Sequence, residues 1–247
     1  MNNTTTRAWS WQLVLLAAGG AFALTMGVRQ TMGLFIGPLN TATGLGLASI
    51  SLAFAFGQLF WGITQPFAGA VADRVGAGRV LLVGLLLVAA GTALTPYMTS
   101  TAGLIFAIGV LAAGGAGMAG PAVLMATTTR LVAPERRGIA TGVVNAGGSF
   151  GQFLLAPVAA ALMTGLGWFD ALQVMALLVL IALPAAWVLK GGPAAAPANA
   201  SSKPAAPRPA KVVLREAFSN RNFQLLFAGF FVCGFHVAFL ATHLPGV

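Results

Sequence analysis

The sequence predicts an all-α protein that crosses a membrane several times, and three observations lead to this fold class. Only 7% of the 247 residues are charged, whereas a soluble globular domain carries about 25%. Hydrophobic residues make up 58% of the chain. The charges that remain lie in short segments between long uncharged stretches. This distribution excludes a soluble enzyme, a nucleic-acid-binding module and a disordered chain.

The uncharged stretches predict the number of helices. They cover residues 30–72, 80–129, 138–169, 171–189 and 222–247. One crossing takes about 20 apolar residues of helix, so the first two stretches are too long for a single crossing. Clusters of proline, glycine, asparagine and serine then place the breaks, for example at residues 38–41 together with Gly44 and Gly46. The predicted helices cover about 11–37, 48–72, 80–96, 102–129, 139–164, 170–189 and 223–245.

The helices are grouped unevenly along the chain. Residues 1–189 are expected to form a bundle of six transmembrane helices. Residues 190–222 are rich in proline and alanine and predict a linker that ends in a short helix, about 212–218, at the membrane surface. Residues 223–247 supply a seventh transmembrane helix.

The basic residues predict the orientation. Twelve of the thirteen Lys and Arg residues fall on one side if the helices alternate in direction, and basic loops stay in the cytoplasm. We therefore expect a multi-pass protein of the cell (inner) membrane, with its N-terminus and the 190–222 linker in the cytoplasm. The net charge of +9 thus indicates orientation in the lipid bilayer and does not indicate binding to nucleic acid.

Several kinds of chemistry find no support in the sequence. Cys233 is the single cysteine, so neither a disulfide nor a cysteine-based metal site is expected. The glycine-rich loop that binds nucleotide phosphates is absent from the sequence as well. We expect no metal, no cofactor and no enzymatic activity.

The loop between the second and third predicted helices carries a recognisable motif. Gly69, Asp73, Arg74 and Gly76, followed by Arg79, resemble the signature loop G-x-x-x-D-[RK]-x-G of the major facilitator superfamily. The segment 134–142, which contains Glu135 and Arg136, is similar to that family's second cytoplasmic loop. The resemblance implies two six-helix halves joined by a linker. This chain would be the first half plus the seventh helix of a truncated twelve-helix fold, and the missing C-terminal half would be required for transport.

Within that superfamily, the chain resembles the bacterial monocarboxylate and oxalate–formate porters. The similarity rests on Arg29 in the first helix, His236 in the seventh and the long linker. It implies secondary active transport by alternating access, with a small organic anion such as a mono- or dicarboxylate as substrate. A coupled proton or an exchanged anion would drive the transport.

The motif loop also has an electrostatic interpretation. Asp73 lies at the C-terminal end of its helix and Arg79 at the N-terminal start of the next, which is mildly unfavourable for both charges. We expect each to have a partner, such as Arg74, Arg136 or another helix terminus. The resemblance implies a conformational switch in which Asp73 contacts the second half. The alternative is a solvated loop that only fixes topology.

Arg29 is the first candidate for substrate binding. A basic side chain deep in a membrane helix costs about 2.5–3.5 kcal/mol, so it usually faces a cavity or an anion. With the first helix at about 13–37, Arg29 lies about 6 Å beyond the middle. A substrate carboxylate matches the planar guanidinium. The alternative is that Arg29 extends to the outer headgroups.

Further candidates are polar residues at helical spacing. Gln58 and Gln65 share one face of the second helix, and Asn145 and Gln152 share one face of the fifth. They predict a substrate pathway lined by water, or else hydrogen bonds between helices. His236 is expected to bind substrate or carry a proton, because histidine changes charge near neutral pH. A histidine that only packs is the alternative.

Two further interpretations stay open. The chain could belong to a carrier or exporter of neutral or drug-like solutes, in which Arg29 serves only as an anchor. It could instead be a membrane remnant or scaffold that transports nothing. Transport assays with charged and neutral substrates distinguish the carrier of neutral solutes from an anion carrier. Saturable uptake of any substrate excludes the remnant or scaffold.

Overall fold

The computed structural model describes residues 10–190 and 210–243, and within these ranges the chain is helical without strands. The described residues form two compact units, 10–190 and 210–243. The first nine residues and most of the predicted linker, 191–209, lie outside the described ranges. The predicted division into domains stays a prediction.

The first unit contains six long helices. They are α1 (Trp11–Thr43), α2 (Leu47–Val75), α3 (Ala77–Tyr97), α4 (Thr101–Leu131), α5 (Pro134–Leu166) and α6 (Trp168–Val188). The second unit contains the short α7 (Ala210–Ser219) and the long α8 (Arg221–His243). Among the described residues, all of these helices except α7 are long and apolar enough to cross a membrane. The predicted all-α, polytopic fold class is confirmed.

The end of α1 differs from the prediction. The predicted end at about 37 is wrong, because the helix continues to Thr43 and the break is confined to residues 44–46, which include the predicted Gly44 and Gly46. A short 3-10 segment, Met32–Phe35, precedes a new α-helical segment that starts at Ile36. Pro38 therefore lies in the first turn of that segment, where a missing N–H breaks no hydrogen bond within it. The other predicted bounds that fall on described residues differ from the structure by at most five residues, and the predicted end of the seventh helix at about 245 lies outside the described ranges.

The longer α1 changes the depth of Arg29. The midpoint of Trp11–Thr43 is residue 27. Arg29 is two residues beyond it, about 3 Å along the axis. The side chain is thus closer to the middle of its helix than the sequence predicts.

Two connections between helices consist of a single glycine. Gly76 joins α2 to α3 with φ 95°, and Gly167 joins α5 to α6 with φ 85°. Glycine lacks a Cβ and occupies this positive-φ region without strain. Each pair of helices is therefore a tight antiparallel hairpin.

The α4 helix is irregular. Its hydrogen bonding is π-helical over Ile105–Ala113, and the helix is interrupted at 119–120. It resumes at Pro121, a residue that suits the first position of a helix because its missing N–H would have no partner there. The π-helical segment contacts α2. The contact includes Gly57 of α2, which lies against Ala113.

Close packing of small residues joins α1 to α5. A Cβ built on Gly151 would lie 2.0 Å from the Ala23 carbonyl oxygen, and one built on Gly147 would lie 2.4 Å from that of Gly19. In a membrane, such close backbone approach increases the van der Waals contact that holds helices together. We call these four residues the α1–α5 seam. Elsewhere α2 packs on α4, and α3 packs on α4 and α6.

The second unit is a helix pair joined at Asn220. The Asn220 Oδ1 accepts a hydrogen bond from the Asn222 N–H at 2.9 Å. The Phe218 ring contacts Phe223 and Phe227 edge to face, with centroids 5.4 Å and 5.5 Å apart. A short helix thus lies where the sequence predicts one. Its position at a membrane surface stays a prediction.

Candidate functional site

The Arg29 guanidinium contacts two side chains of α2. Its Nη2 donates a hydrogen bond to the Gln58 Oε1. Its Cζ lies 4.3 Å from the centre of the Trp61 ring, a cation–π distance. All three side chains are half-buried. We call Arg29, Gln58 and Trp61 the arginine cluster.

Helical spacing and close packing place the α2 members of the cluster. Gln58 and Trp61 are three residues apart, so they share one side of the helix. The preceding Gly57 packs against α4, where its Cβ position lies 3.6 Å from the Ala113 Cβ. One turn further along α2, the Trp61 carbonyl oxygen faces Gly117 of α4. A Cβ built on Gly117 would lie 2.9 Å from that oxygen. This turn of α2 is therefore held tightly against α4.

The α1 member is supported from the other side. A Cβ on Gly27 would lie 2.6 Å from the Gly151 carbonyl oxygen of α5. Gly27 is two residues before Arg29, so the backbone that carries the guanidinium extends the α1–α5 seam. Both sides of the cluster thus rest on closely packed backbone.

The cluster has an unbalanced charge. The four acidic residues of the chain lie at or near helix ends or in the short α7: Asp73, Glu135, Asp170 and Glu216. Among the described residues, Arg29 forms no ion pair with any of them. Its partners are a neutral amide and an aromatic ring. A positive charge in a membrane interior with only neutral partners favours an anion as ligand.

The other predicted binding residues lie in three places. Gln65 is half-buried next to the cluster, and its Nε2 donates to the Trp61 carbonyl oxygen at 3.4 Å. On α5, Asn145 is exposed and Gln152 is half-buried. Around the axis of α5, these two side chains lie about a quarter turn away from the face that packs on α1. Within the described ranges, neither one hydrogen-bonds Arg29. His236 is an exposed residue of α8, in the second unit.

In the predicted switch loop, Asp73 forms an ion pair with a residue that the sequence analysis did not single out. Its Oδ1 lies 2.8 Å from the Arg130 Nη1, and both side chains are 51% exposed. Of the three partners that the sequence analysis offers, Arg74 and Arg136 are wrong, and the third, another helix terminus, is where the partner lies. The reason is packing: α2 contacts α4, and Arg130 lies in the last turn of α4. A cation between two helix C-terminal ends compensates the partial negative charge of both.

The remaining loop residues are distributed around this ion pair. Arg74 and Arg79 are exposed, Gly69 is half-buried, and Gly76 is the buried one-residue turn. Glu135 lies in the 3-10 turn that begins α5. Arg136 stacks on Trp11 of α1, with its Cζ 4.3 Å from the ring centre. This contact holds the start of α5 against the start of α1.

Trp61 and Arg130 are the residues that sequence reasoning missed. Trp61 lies on the same helix face as Gln58 and Gln65, at i+3 from the first, and this spacing was a usable signal. The pairing of Arg130 carried no comparable signal, because it depends on which helix packs beside α2.

The comparisons with known proteins agree with this architecture. The family model of the Major Facilitator Superfamily matches residues 7–247. The chain is 28% identical to Monocarboxylate transporter 13 of Rattus norvegicus, over 70% of this chain and 40% of that protein. It is 30% identical to the Oxalate:formate antiporter of Oxalobacter formigenes, over 53% of this chain and 31% of that protein.

A longer match covers most of the chain. Monocarboxylate transporter 11 of Homo sapiens is 27% identical over 93% of this chain and 49% of that protein. In all three relatives, the aligned part is less than half of the protein. The resemblance to the monocarboxylate and oxalate–formate porters is confirmed, and the chain belongs to the major facilitator superfamily of membrane transporters.

Proposed function

We propose that this chain is part of a secondary active carrier of small organic anions, and that Arg29 binds a carboxylate of the substrate. One observation carries the proposal: a guanidinium near the middle of a membrane helix has only neutral partners among the described residues. The substrate class is a mono- or dicarboxylate. The names of the relatives, monocarboxylate transporters and an oxalate:formate antiporter, support it.

The chemistry of the guanidinium suits this role. Arginine carries five N–H donors in a plane. One donor is used by Gln58, and the Trp61 ring contributes no hydrogen-bond acceptor atom to its contact with the group. The remaining donors match the two oxygens of a carboxylate, which forms paired, charge-assisted hydrogen bonds with arginine. Binding would also balance the charge.

A carrier of neutral solutes, with Arg29 as an anchor in the headgroups, is the competing function. With a hydrocarbon core of about 30 Å centred on α1, Arg29, which is about 3 Å beyond the middle of the helix, lies about 12 Å from the outer edge of that core. An arginine side chain is shorter than this distance. Its contacts with α2 also direct the guanidinium toward a neighbouring helix. Both observations support the anion carrier.

The proposed mechanism is alternating access. Two six-helix halves would rock around a site near the middle of the membrane, so a second half would complete the pathway. Gln65, Asn145 and Gln152 would line it, and His236 would bind substrate or carry a proton. The loop with Asp73 would act as the conformational switch. The carrier would lie in the cell membrane with the 190–222 linker in the cytoplasm.

The test is carboxylate uptake by the whole carrier, reconstituted in liposomes, with substitutions at Arg29. Arg29→Lys keeps the charge but loses the paired hydrogen bonds, so affinity should fall. Arg29→Gln removes the charge, and a loss of about 30-fold or more in apparent affinity is expected. The matched control is Lys190→Gln, which removes one positive charge at the exposed end of α6.

Two results of the uptake assay would contradict anion binding by Arg29. If Arg29→Gln transports carboxylates with unchanged affinity, the guanidinium does not bind the substrate. Transport of neutral analogues in preference to carboxylates would also overturn the proposal, in favour of the neutral-solute carrier.

A further inference from the structure

We infer that Gln58 and Trp61 are positioning residues that hold the Arg29 guanidinium in one orientation for the substrate carboxylate. The inference rests on the proposed role of Arg29. It gives Gln58 a different task from direct substrate binding, and it assigns a function to Trp61, an indole that the sequence pattern leaves among the apolar residues of α2.

The two contacts act on different parts of the guanidinium. The Gln58 Oε1 accepts from Nη2 and so fixes a point within the plane of the group. The Trp61 ring lies 4.3 Å from Cζ and so limits the movement of the group on that side. Two contacts at different points restrict the orientation of a flat group more than one contact does. A long arginine side chain free of these contacts would sample many rotamers.

The positioning residues are themselves held by the backbone. Gly117 of α4 allows a close approach to α2, because a Cβ there would lie 2.9 Å from the Trp61 carbonyl oxygen, and Gly57 is in ordinary van der Waals contact with α4. The Gln65 side chain hydrogen-bonds the Trp61 carbonyl oxygen, one turn further along the helix. A binding group gains from such support, because misplacement of a charged group by about 1 Å is enough to weaken its function.

The amide is important because it is neutral. A carboxylate at position 58 would pair with Arg29 and compete with the substrate anion for the guanidinium. Glutamine has nearly the same shape and accepts the same hydrogen bond without cancelling the charge. The structure therefore combines firm positioning with a positive charge that is still available.

The main experiment is a double-mutant cycle on the apparent affinity for formate and oxalate, measured as inhibition of uptake by the whole carrier. Gln58→Leu removes the acceptor at similar size, and about a 10-fold loss is expected, as for a lost hydrogen bond to a charged group. In the Arg29→Gln background, the same change should have almost no further effect, because Gln58 acts through Arg29.

Two charge and shape variants sharpen the test. Gln58→Glu should weaken anion binding at least as much as Arg29→Gln does, about 30-fold or more. Gln58→Asn keeps the amide but withdraws it by one methylene, so an intermediate loss is expected. This variant also keeps the test valid if Gln58→Leu does not fold. Gln173→Leu is the matched control: Gln173 is a half-buried glutamine of α6 that donates to the Ala93 carbonyl oxygen.

Trp61 is tested by a graded series. Trp61→Phe keeps an aromatic face with a weaker cation–π interaction, and Trp61→Leu removes the face. Anion affinity should decrease in the order Trp, Phe, Leu. In the Arg29→Gln background the three should be nearly equal, which a purely packing role of Trp61 would not produce.

The outcomes separate this inference from the proposed function. If Arg29→Gln weakens binding but Gln58→Leu costs the same factor in both backgrounds, Gln58 acts independently of Arg29 and the inference is overturned, while the anion proposal stands. If Arg29→Gln has no effect, both are overturned. If Gln58→Glu binds anions like the unmodified protein, the requirement for a neutral amide is wrong.

Discussion

The α1–α5 seam provides a sharp test of the packing. In Gly151→Ala the new methyl group would lie 2.0 Å from the Ala23 carbonyl oxygen, which is 1.4 Å short of the 3.4 Å at which ordinary contact begins. The obstacle is backbone, so no side-chain rotation relieves it. The two helices have to separate, and the contacts of the whole seam weaken.

The size of the effect follows from overpacking. Forcing an extra carbon into a closely packed site costs about 1–3 kcal/mol. For a domain of this size, 1 kcal/mol corresponds to about 2–4 °C in the unfolding midpoint. We therefore expect Gly151→Ala to lower the Tm of the protein by about 4–8 °C, taking about 2 kcal/mol. The assay is thermal unfolding in detergent or nanodiscs.

The same helices supply the controls. The Cβ positions of Gly20 in α1 and Gly142 in α5 have nothing within 4 Å. Alanine is a better helix former than glycine by up to about 1 kcal/mol, so Gly20→Ala and Gly142→Ala should leave Tm unchanged or raise it. Equal shifts for Gly142→Ala and Gly151→Ala would refute the close approach of α1 and α5.

Two further predictions concern the charged ends of the helices. A double-mutant cycle with Asp73→Asn and Arg130→Gln should give a coupling of only about 0.2–1 kcal/mol, since both side chains are half-exposed, and the coupling should fall as salt is added. A coupling above about 2 kcal/mol would show that the pair is more strongly desolvated than its exposure indicates. Protease should cleave near Lys203 only from the cytoplasmic side, because the basic residues around it follow the positive-inside rule. Cleavage by protease added to intact cells or right-side-out vesicles would show that the topology is the opposite one.

The number and position of the helices could be predicted because the preference of a side chain for lipid or water is a local property. Each charged residue favours water over lipid, so the uncharged stretches between charges correspond to the transmembrane helices. The end of α1 was predicted wrongly because the effect of a proline depends on its place in a helical segment. Pro38 lies in a first turn, after the 3-10 segment Met32–Phe35, and is tolerated there.

The contacts of the candidate site could be predicted only in part. Arg29 was conspicuous because a buried charge is costly in a membrane. Its hydrogen bond to Gln58 joins residues of different helices, so it depends on how α1 and α2 face each other. The partner of Asp73 likewise depended on the packing of α2 beside α4. Trp61 was overlooked because its ring is apolar by composition, although the same ring attracts a cation.

The short connections restrict how the first unit can rearrange. Within the described range 10–190, no connection between successive long helices exceeds three residues, and Gly76 and Gly167 stand alone in theirs. Sliding one helix past its neighbour by a full turn requires about 5.4 Å of extra chain, which one residue cannot supply without unwinding a helix end. Helices α2 and α3, and likewise α5 and α6, must keep their axial register. Each of these two hairpins can therefore change its place in the unit only by tilting as a whole, so that a force on Gln58 or Trp61 in α2 would be transmitted to α3 as well.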